Sequence, residues 1–156
     1  MSPFSFPGTQ PLLPIGQNAP AFRLLDQSSR TLSFEDALGD NRALILLFFM
    51  SDFLGDDKKL LSAYAAAYPR LREANLAVIG LSGINWETIH HLGRKLNIPF
   101  PLLFDPCCRI ATRYQAMWLP KFINNRAIIA VSPTAEVILT SSHFMAPDTL
   151  MVRLPV

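Results

Sequence analysis

Ala43-Leu-Ile-Leu-Leu-Phe-Phe-Met50 is a continuous apolar run, preceded by Asp40-Asn41 and followed by Ser51-Asp52. A strand that is apolar on both sides of its pleat has to be covered on both faces, so this segment is expected in the middle of a sheet. Beyond it, Leu60, Leu61, Tyr64, Ala67, Tyr68 and Leu71 recur at helical spacing, with Lys58, Lys59, Arg70, Arg72 and Glu73 on the other faces. This is an amphipathic helix, and Pro69 inside it should kink or split it by removing a ladder donor. Leu76 to Leu81 is a second apolar run, read as a buried strand parallel to the first. Strand, helix, strand makes a crossover unit, and the fold class is α/β.

The alternation continues outward on both sides. Downstream, Trp86 to Leu96 reads as a helix and Phe100 to Phe104 as a strand, with Arg109 to Tyr114 inside a further helix opened by Asp105-Pro106. Ala127 to Val131 and Val137 to Thr140, joined by Ser132-Pro133-Thr134-Ala135, form a closing hairpin, so the sheet is mixed. Asp148 to Arg153 gives a short helix stopped by Pro155, too short to cover a sheet well. Upstream, Ala21 to Leu25 reads as a short edge strand, Gln27 to Arg30 as a turn, and Thr31 to Leu38 as an extended piece running into a short helix. Residues 1–14 belong to an extended Pro-rich arm, and residues 15–156 form one domain.

Composition narrows the function classes. Of 156 residues, half are hydrophobic and 17% charged, and the formal charge of +2 is scattered, which argues against nucleic-acid binding. The run at Ala43 to Met50 is far short of the roughly 20 residues of a membrane span. Pro3, Pro7, Pro11 and Pro14 interrupt any helical leader, so a cytoplasmic protein is expected. Cys107 and Cys108 are adjacent, which is no secreted disulfide framework. His90 and His91 are neighbours on a helix, read as a solvated face, and His143 stands alone, so metal-ligand spacing is absent. No phosphate-cradling loop or acyl-transfer signature occurs, and no cofactor is expected.

Four ordered segments carry a resemblance. They are Gly16-x-x-Ala19-Pro20-x-Phe22-x-Leu24-x-Asp26, Phe48-Phe49-x-x-Asp52-Phe53, Asn97-Ile-Pro-Phe-Pro-Leu-Leu-Phe-Asp-Pro106, and Arg126 with Ile128-Ile129 and the Ser132-Pro133 turn. Over about residues 15–142 the chain resembles the peroxiredoxins, the alkyl hydroperoxide reductase and thiol-specific antioxidant family. The resemblance implies a thioredoxin-like, three-layer fold with a central mixed sheet flanked by helices.

It also implies a site. Peroxiredoxins reduce hydroperoxides with one thiolate, in a Pro-x-x-x-Thr-x-x-Cys motif at the first turn of the helix after the central strand, completed by an Arg from the later hairpin. Aligned on Phe48-Phe49 and Asp52-Phe53, this sequence has Met50 at the Pro, Leu54 at the Thr and Asp57 at the peroxidatic Cys, and keeps Arg126. A carboxylate can take the thiolate's place electrostatically, at a helix N-terminus facing an Arg, and an Asp57–Arg126 ion pair sealing the pocket is expected. It has no sulfenic acid state, so peroxidase chemistry is expected to be absent there. Without reference to any family, Asp56-Asp57 ahead of Lys58-Lys59 also reads as an ordinary N-cap or first-turn acid.

Cys107 and Cys108 are the only redox-capable thiols, placed at an expected helix start where the macrodipole lowers a thiol pKa. Three readings stand: small buried side chains, a redox-sensing thiol or intersubunit disulfide, and a relocated catalytic thiol. Trp86, Met117, Trp118 and Leu119 are either core or a docking surface for a protein partner. The reading is a peroxiredoxin-like protein without the peroxidatic Cys, acting as a non-catalytic binding or regulatory module. The alternative is a thiol-dependent antioxidant enzyme using Cys107 or Cys108. Pairing into a homodimer is implied by the resemblance alone.

Overall fold

The computed structural model describes residues 12–50, 55–118, 123, 124 and 127–155. Leu54, Leu119, Arg126 and residues 1–11 of the arm lie outside the described residues. The elements run β1 (Arg23–Asp26), β2 (Thr31–Ser33), α1 (Phe34–Leu38), β3 (Ala43–Phe48), α2 (Gly55–Glu73), β4 (Leu76–Ser82), α3 (Trp86–Lys95) and β5 (Leu102–Phe104). A 3-10 turn (Pro106–Cys108) leads into α4 (Arg109–Arg113), followed by β6 (Met117–Trp118), β7 (Ile123–Asn124), β8 (Ala127–Val131), β9 (Val137–Ser141) and α5 (Pro147–Arg153).

Seven strands form one sheet in the order β2-β1-β5-β4-β3-β8-β9, and β6 and β7 pair separately as a small hairpin. β3, β4 and β5 are parallel neighbours, while β8, β9, β1 and β2 add antiparallel pairs on either side. The sheet is therefore mixed, as the hairpin signal required. Alternation along β3 shows why its sequence is apolar throughout. Ala43, Ile45, Leu47 and Phe49 pack with Leu60, Leu61, Tyr64, Ala67 and Leu71 of α2, Ile89 and Leu92 of α3 and Leu150 of α5. Leu44, Leu46 and Phe48 face the other way, toward Phe34 and Leu38 of α1 and Ile110 and Ala111 of α4. Helices cover both faces, which makes the three layers.

Several expectations need correction. The first strand is no edge: β1 pairs with both β2 and β5, and the edge is β2. Pro69 does not split α2, which runs from Gly55 to Glu73 as one element. Its ring lies exposed near the helix end, where only one ladder bond is lost and the buried stripe up to Leu71 holds the helix to the sheet. α5 covers more than its length suggested. Leu150 and Leu154 are buried in the α2-side core, and the Tyr64 hydroxyl donates to the Met145 carbonyl at 2.7 Å. Of the expected arm, Leu12 and Leu13 are half-buried against the α4-side core, and the Leu13 N–H donates to the Tyr114 carbonyl.

One glycine is required by close approach. A Cβ on Gly80 of β4 would stand 2.7 Å from Leu102 Cδ2 and 3.2 Å from Phe49 Cε1, both side chains being fully buried. Gly80→Ala is expected to cost about 1–3 kcal/mol by overpacking. A urea denaturation midpoint equal to that of the wild type would contradict this.

Candidate functional site

The parallel strands β3, β4 and β5 end side by side, and a fully buried polar side chain stands at or just beyond each end: Asp57, Ser82 and Asp105. In open α/β sheets this end is where sites form. Asp57 is the third residue of α2, and its carboxylate accepts the Met50 N–H at 3.3 Å. The Met50 carbonyl accepts the Ser82 hydroxyl at 3.2 Å, and the Ile84 N–H donates to the same hydroxyl oxygen. The Asp105 N–H then donates to the Ser82 carbonyl at 2.8 Å. A carboxylate in the first turn of a 19-residue helix is also favoured by the helix dipole. The three strand ends are thus tied by one polar chain through Met50 and Ser82.

Of the expected site residues, Met50 and Asp57 are brought together directly. Leu54 and Arg126 lie outside the described residues, and so does the expected Asp57–Arg126 pair. Cys107 and Cys108 belong to a separate turn after β5. Cys108 packs in the α4-side core, on the opposite face of the sheet from α2.

The cysteine turn differs from the expected helix start. The α-helix begins at Arg109, while Cys107 and Cys108 have left-handed backbones with φ of 57° and 53°. Asp105 is the cause. Its two carboxylate oxygens accept the N–H groups of Ile110 and Ala111, each at 2.9 Å, so a residue upstream of the turn caps α4. The chain between has to double back for that carboxylate to reach. Burial lifts the Asp105 carboxyl above the usual carboxylate value, and the amides of Ile110, Ala111 and Arg109, with the Arg109 charge, hold it back.

The expected lowering of a thiol pKa fails at Cys108. The amides that would stabilise a thiolate are occupied by Asp105, and Cys108 is buried. Burial first, then the negative charge of Asp105 and the neighbouring Cys107, push its thiol up to about 11. Cys107 is exposed, and neither cysteine is in a disulfide.

The histidine pair is not a uniform solvated face. His90 is half-buried, stacked on Trp86 at 5.1 Å, and its Nδ1 lies 2.9 Å from the Gln27 carbonyl, which fixes Nδ1 as the protonated nitrogen. Trp86 is also half-buried, and its Nε1–H donates to the Asp26 carbonyl at 2.9 Å. Both side chains staple α3 to the β1–β2 turn. His91 and His143 are exposed. Among the described residues no three His, Cys, Asp or Glu side chains are grouped to hold a metal, and no helix is long and apolar enough to cross a membrane. Sequence reasoning missed Ser82, and it took Asp105 to open a helix at Pro106 whereas its carboxylate caps α4 five and six residues ahead. Ser82 has no periodic or motif signal, and the Asp105-Pro106 helix-start signal does not say which amides the carboxylate reaches, since each acts through backbone groups of other segments.

A family model described as the AhpC/TSA family matches residues 15–140. Peroxiredoxin Q, chloroplastic, of Populus jackii is 30% identical over 90 residues, which span 58% of this chain and 41% of that relative. The chain thus matches about two fifths of the length of this relative. Among solved structures, a PrxQ mutant of Xylella fastidiosa superposes with a TM-score of 0.78 at 17% identity, covering 92% of this chain and 94% of that one. Peroxidoxin BcpB from Mycobacterium tuberculosis gives 0.76 at 16% identity, covering 85% and 87%. At such identities the structural likeness speaks for the fold, which is thioredoxin-like.

Proposed function

The chain belongs to the AhpC/TSA family of peroxiredoxins, and from that membership we propose that Asp57 fills the peroxidatic position and that the protein is a non-catalytic binding or regulatory module. One observation carries this reading. The first turn of the helix after interior strand β3 holds a buried carboxylate bound back to the Met50 N–H, and the chain's only thiols stand at positions 107 and 108.

The chemistry follows from the atom. A thiolate attacks one peroxide oxygen, the S–O bond forms as the O–O bond breaks, and the other oxygen leaves as hydroxide and takes a proton. Sulfur is oxidised by two electrons to a sulfenic acid, which a second thiol then reduces. A carboxylate offers no such couple. What it keeps is the negative charge at the helix N-terminus, which stabilises the junction of β3 and α2 without turnover.

Hydrogen peroxide consumption with dithiothreitol or thioredoxin is expected to stay at the uncatalysed rate for the wild type, for Cys107→Ser and for Cys108→Ser. In the Cys107→Ser, Cys108→Ser background, Asp57→Cys is expected to form a sulfenic acid that dimedone traps. Wild-type turnover that disappears in Cys107→Ser would transfer the function to the second reading, a thiol-dependent antioxidant. The exposure of Cys107 is the observation in favour of that reading, whereas Cys108 is disfavoured by burial and its raised pKa. A module acts through a partner, and a second copy of this chain is the partner that the family resemblance suggests. Native mass spectrometry of the wild type reads that directly.

A further inference from the structure

A cleft of about 460 Å³ opens between β1 and α4, with Asp57 not among its lining residues. Its walls combine two chemistries. Phe22, Leu24, Pro106 and Ile110 supply apolar surface, and Arg23, Arg109 and Arg113 supply three guanidinium groups. All three arginines are exposed. The ion pairs among the described residues are Arg30 with Asp26 and Arg70 with Asp148, so no carboxylate lies within salt-bridge distance of the cleft arginines there.

The acids nearby offset only part of the cleft's positive charge. Asp105 lines it but is fully buried, with both oxygens committed to the Ile110 and Ala111 amides. Asp36, whose charge Arg23 feels, exchanges hydrogen bonds with Ser33 in the capping box of α1. The cleft therefore presents positive charge over an apolar floor, at a size within the usual range for small-ligand sites.

We propose that this cleft binds a small organic phosphate, a phosphate monoester carried on an apolar body. Guanidinium forks pair with both carboxylate and phosphate oxygens, but three of them around one cleft suit an anion with oxygens pointing in three directions better than a flat carboxylate. The apolar wall takes the ester's hydrocarbon part, which inorganic phosphate lacks. This assignment is independent of the role of Asp57, because peroxide turnover and anion binding are read by separate assays.

The test is calorimetric titration of the full chain with phenyl phosphate, inorganic phosphate and benzyl alcohol. Phenyl phosphate is expected to bind about tenfold more tightly than inorganic phosphate, benzyl alcohol not measurably, and added salt should weaken the interaction. Arg109→Gln with Arg113→Gln is expected to reduce phenyl phosphate affinity about tenfold or more, with Arg23→Gln as an independent single variant. Among the described residues these exposed side chains make no ion pair, so little change in thermal unfolding should accompany the loss. Absent binding of phenyl phosphate, or affinity unaffected by both sets of substitutions, overturns the proposal. Equal affinity for inorganic and phenyl phosphate overturns the assignment of an organic ligand.

Discussion

Asp105→Ala is expected to lower the stability of the protein by about 2 kcal/mol, the lost amide acceptors outweighing the relief of two left-handed residues, and to make Cys108 reactive toward iodoacetamide. The wild-type carboxylate is fully buried and satisfies the N–H groups of Ile110 and Ala111 at 2.9 Å each. Removing it leaves two amides of the first turn of α4 without acceptors, and each buried unsatisfied donor costs about 1–3 kcal/mol. The same carboxylate holds Cys107 and Cys108 in left-handed conformations, which cost about 1–2 kcal/mol each for residues with a Cβ. Without the cap the turn relaxes, the Cys108 side chain leaves its packed position, and a negative charge that raises its pKa is gone. Asp105→Asn separates the contributions. An amide keeps the shape but presents one acceptor and one NH₂ group to two donors, so it should lose roughly half as much. Urea unfolding and mass spectrometry of alkylated protein read the two effects. Unchanged stability in Asp105→Ala, with Cys108 still protected, would show that another group caps α4.

The contrast between Asp105 and β3 explains what could be read from the chain alone. β3 and β4 are legible because their apolar runs record burial on both faces, and α2 because its stripe at Leu60, Leu61, Tyr64 and Leu71 repeats with the helical period. The Asp105 cap reaches five and six residues ahead across a reversed turn, and no periodicity encodes that distance. The Asp-Pro signal therefore reads as a helix start too early, with a macrodipole that would lower a thiol pKa, while of the three readings of the thiols the buried one fits Cys108. Trp86 and His90 were ambiguous for the same reason. Their partners are carbonyls at Asp26 and Gln27, about sixty residues away, brought near only by the sheet order. α5 looked too short to matter because its contribution comes from Leu150 and from Met145 beneath the Tyr64 hydroxyl, not from its length. At the candidate site, Met50 and Asp57 are singled out by the family resemblance, and Asp57 also as a first-turn acid, whereas Ser82 has no sequence signal beyond ending an apolar run.

Stability is expected to fall steeply in alkali, by several kcal/mol between about pH 8 and pH 11. Three buried groups set the sign. Burial pushes the Cys108 thiol up to about 11 and raises the Tyr64 and Tyr114 phenols above their ordinary range. A group whose pKa is higher in the folded state holds its proton there longer than in the unfolded chain. Its contribution is fully present below the unfolded pKa, about 8.5 for Cys and 10 for Tyr, and is lost as pH rises toward the folded value. Each unit of difference is worth about 1.4 kcal/mol, so Cys108 alone accounts for about 3 kcal/mol by the top of this window, with the tyrosines adding above about pH 10. The tyrosines have a structural reason to stay protonated. Tyr64 donates to the Met145 carbonyl and Tyr114 to the Pro20 carbonyl, both at 2.7 Å, and an ionised phenol can donate to neither. Those bonds join α2 to the segment before α5 and the end of α4 to the segment before β1, so deprotonation loosens both sheet faces together. Cys108→Ala should remove the decline that begins near pH 8.5, and Tyr64→Phe or Tyr114→Phe should flatten the part above about pH 10, each at a cost of about 1–3 kcal/mol at neutral pH. A urea midpoint that holds constant across this range in the wild type would mean that these protons are not what folding retains.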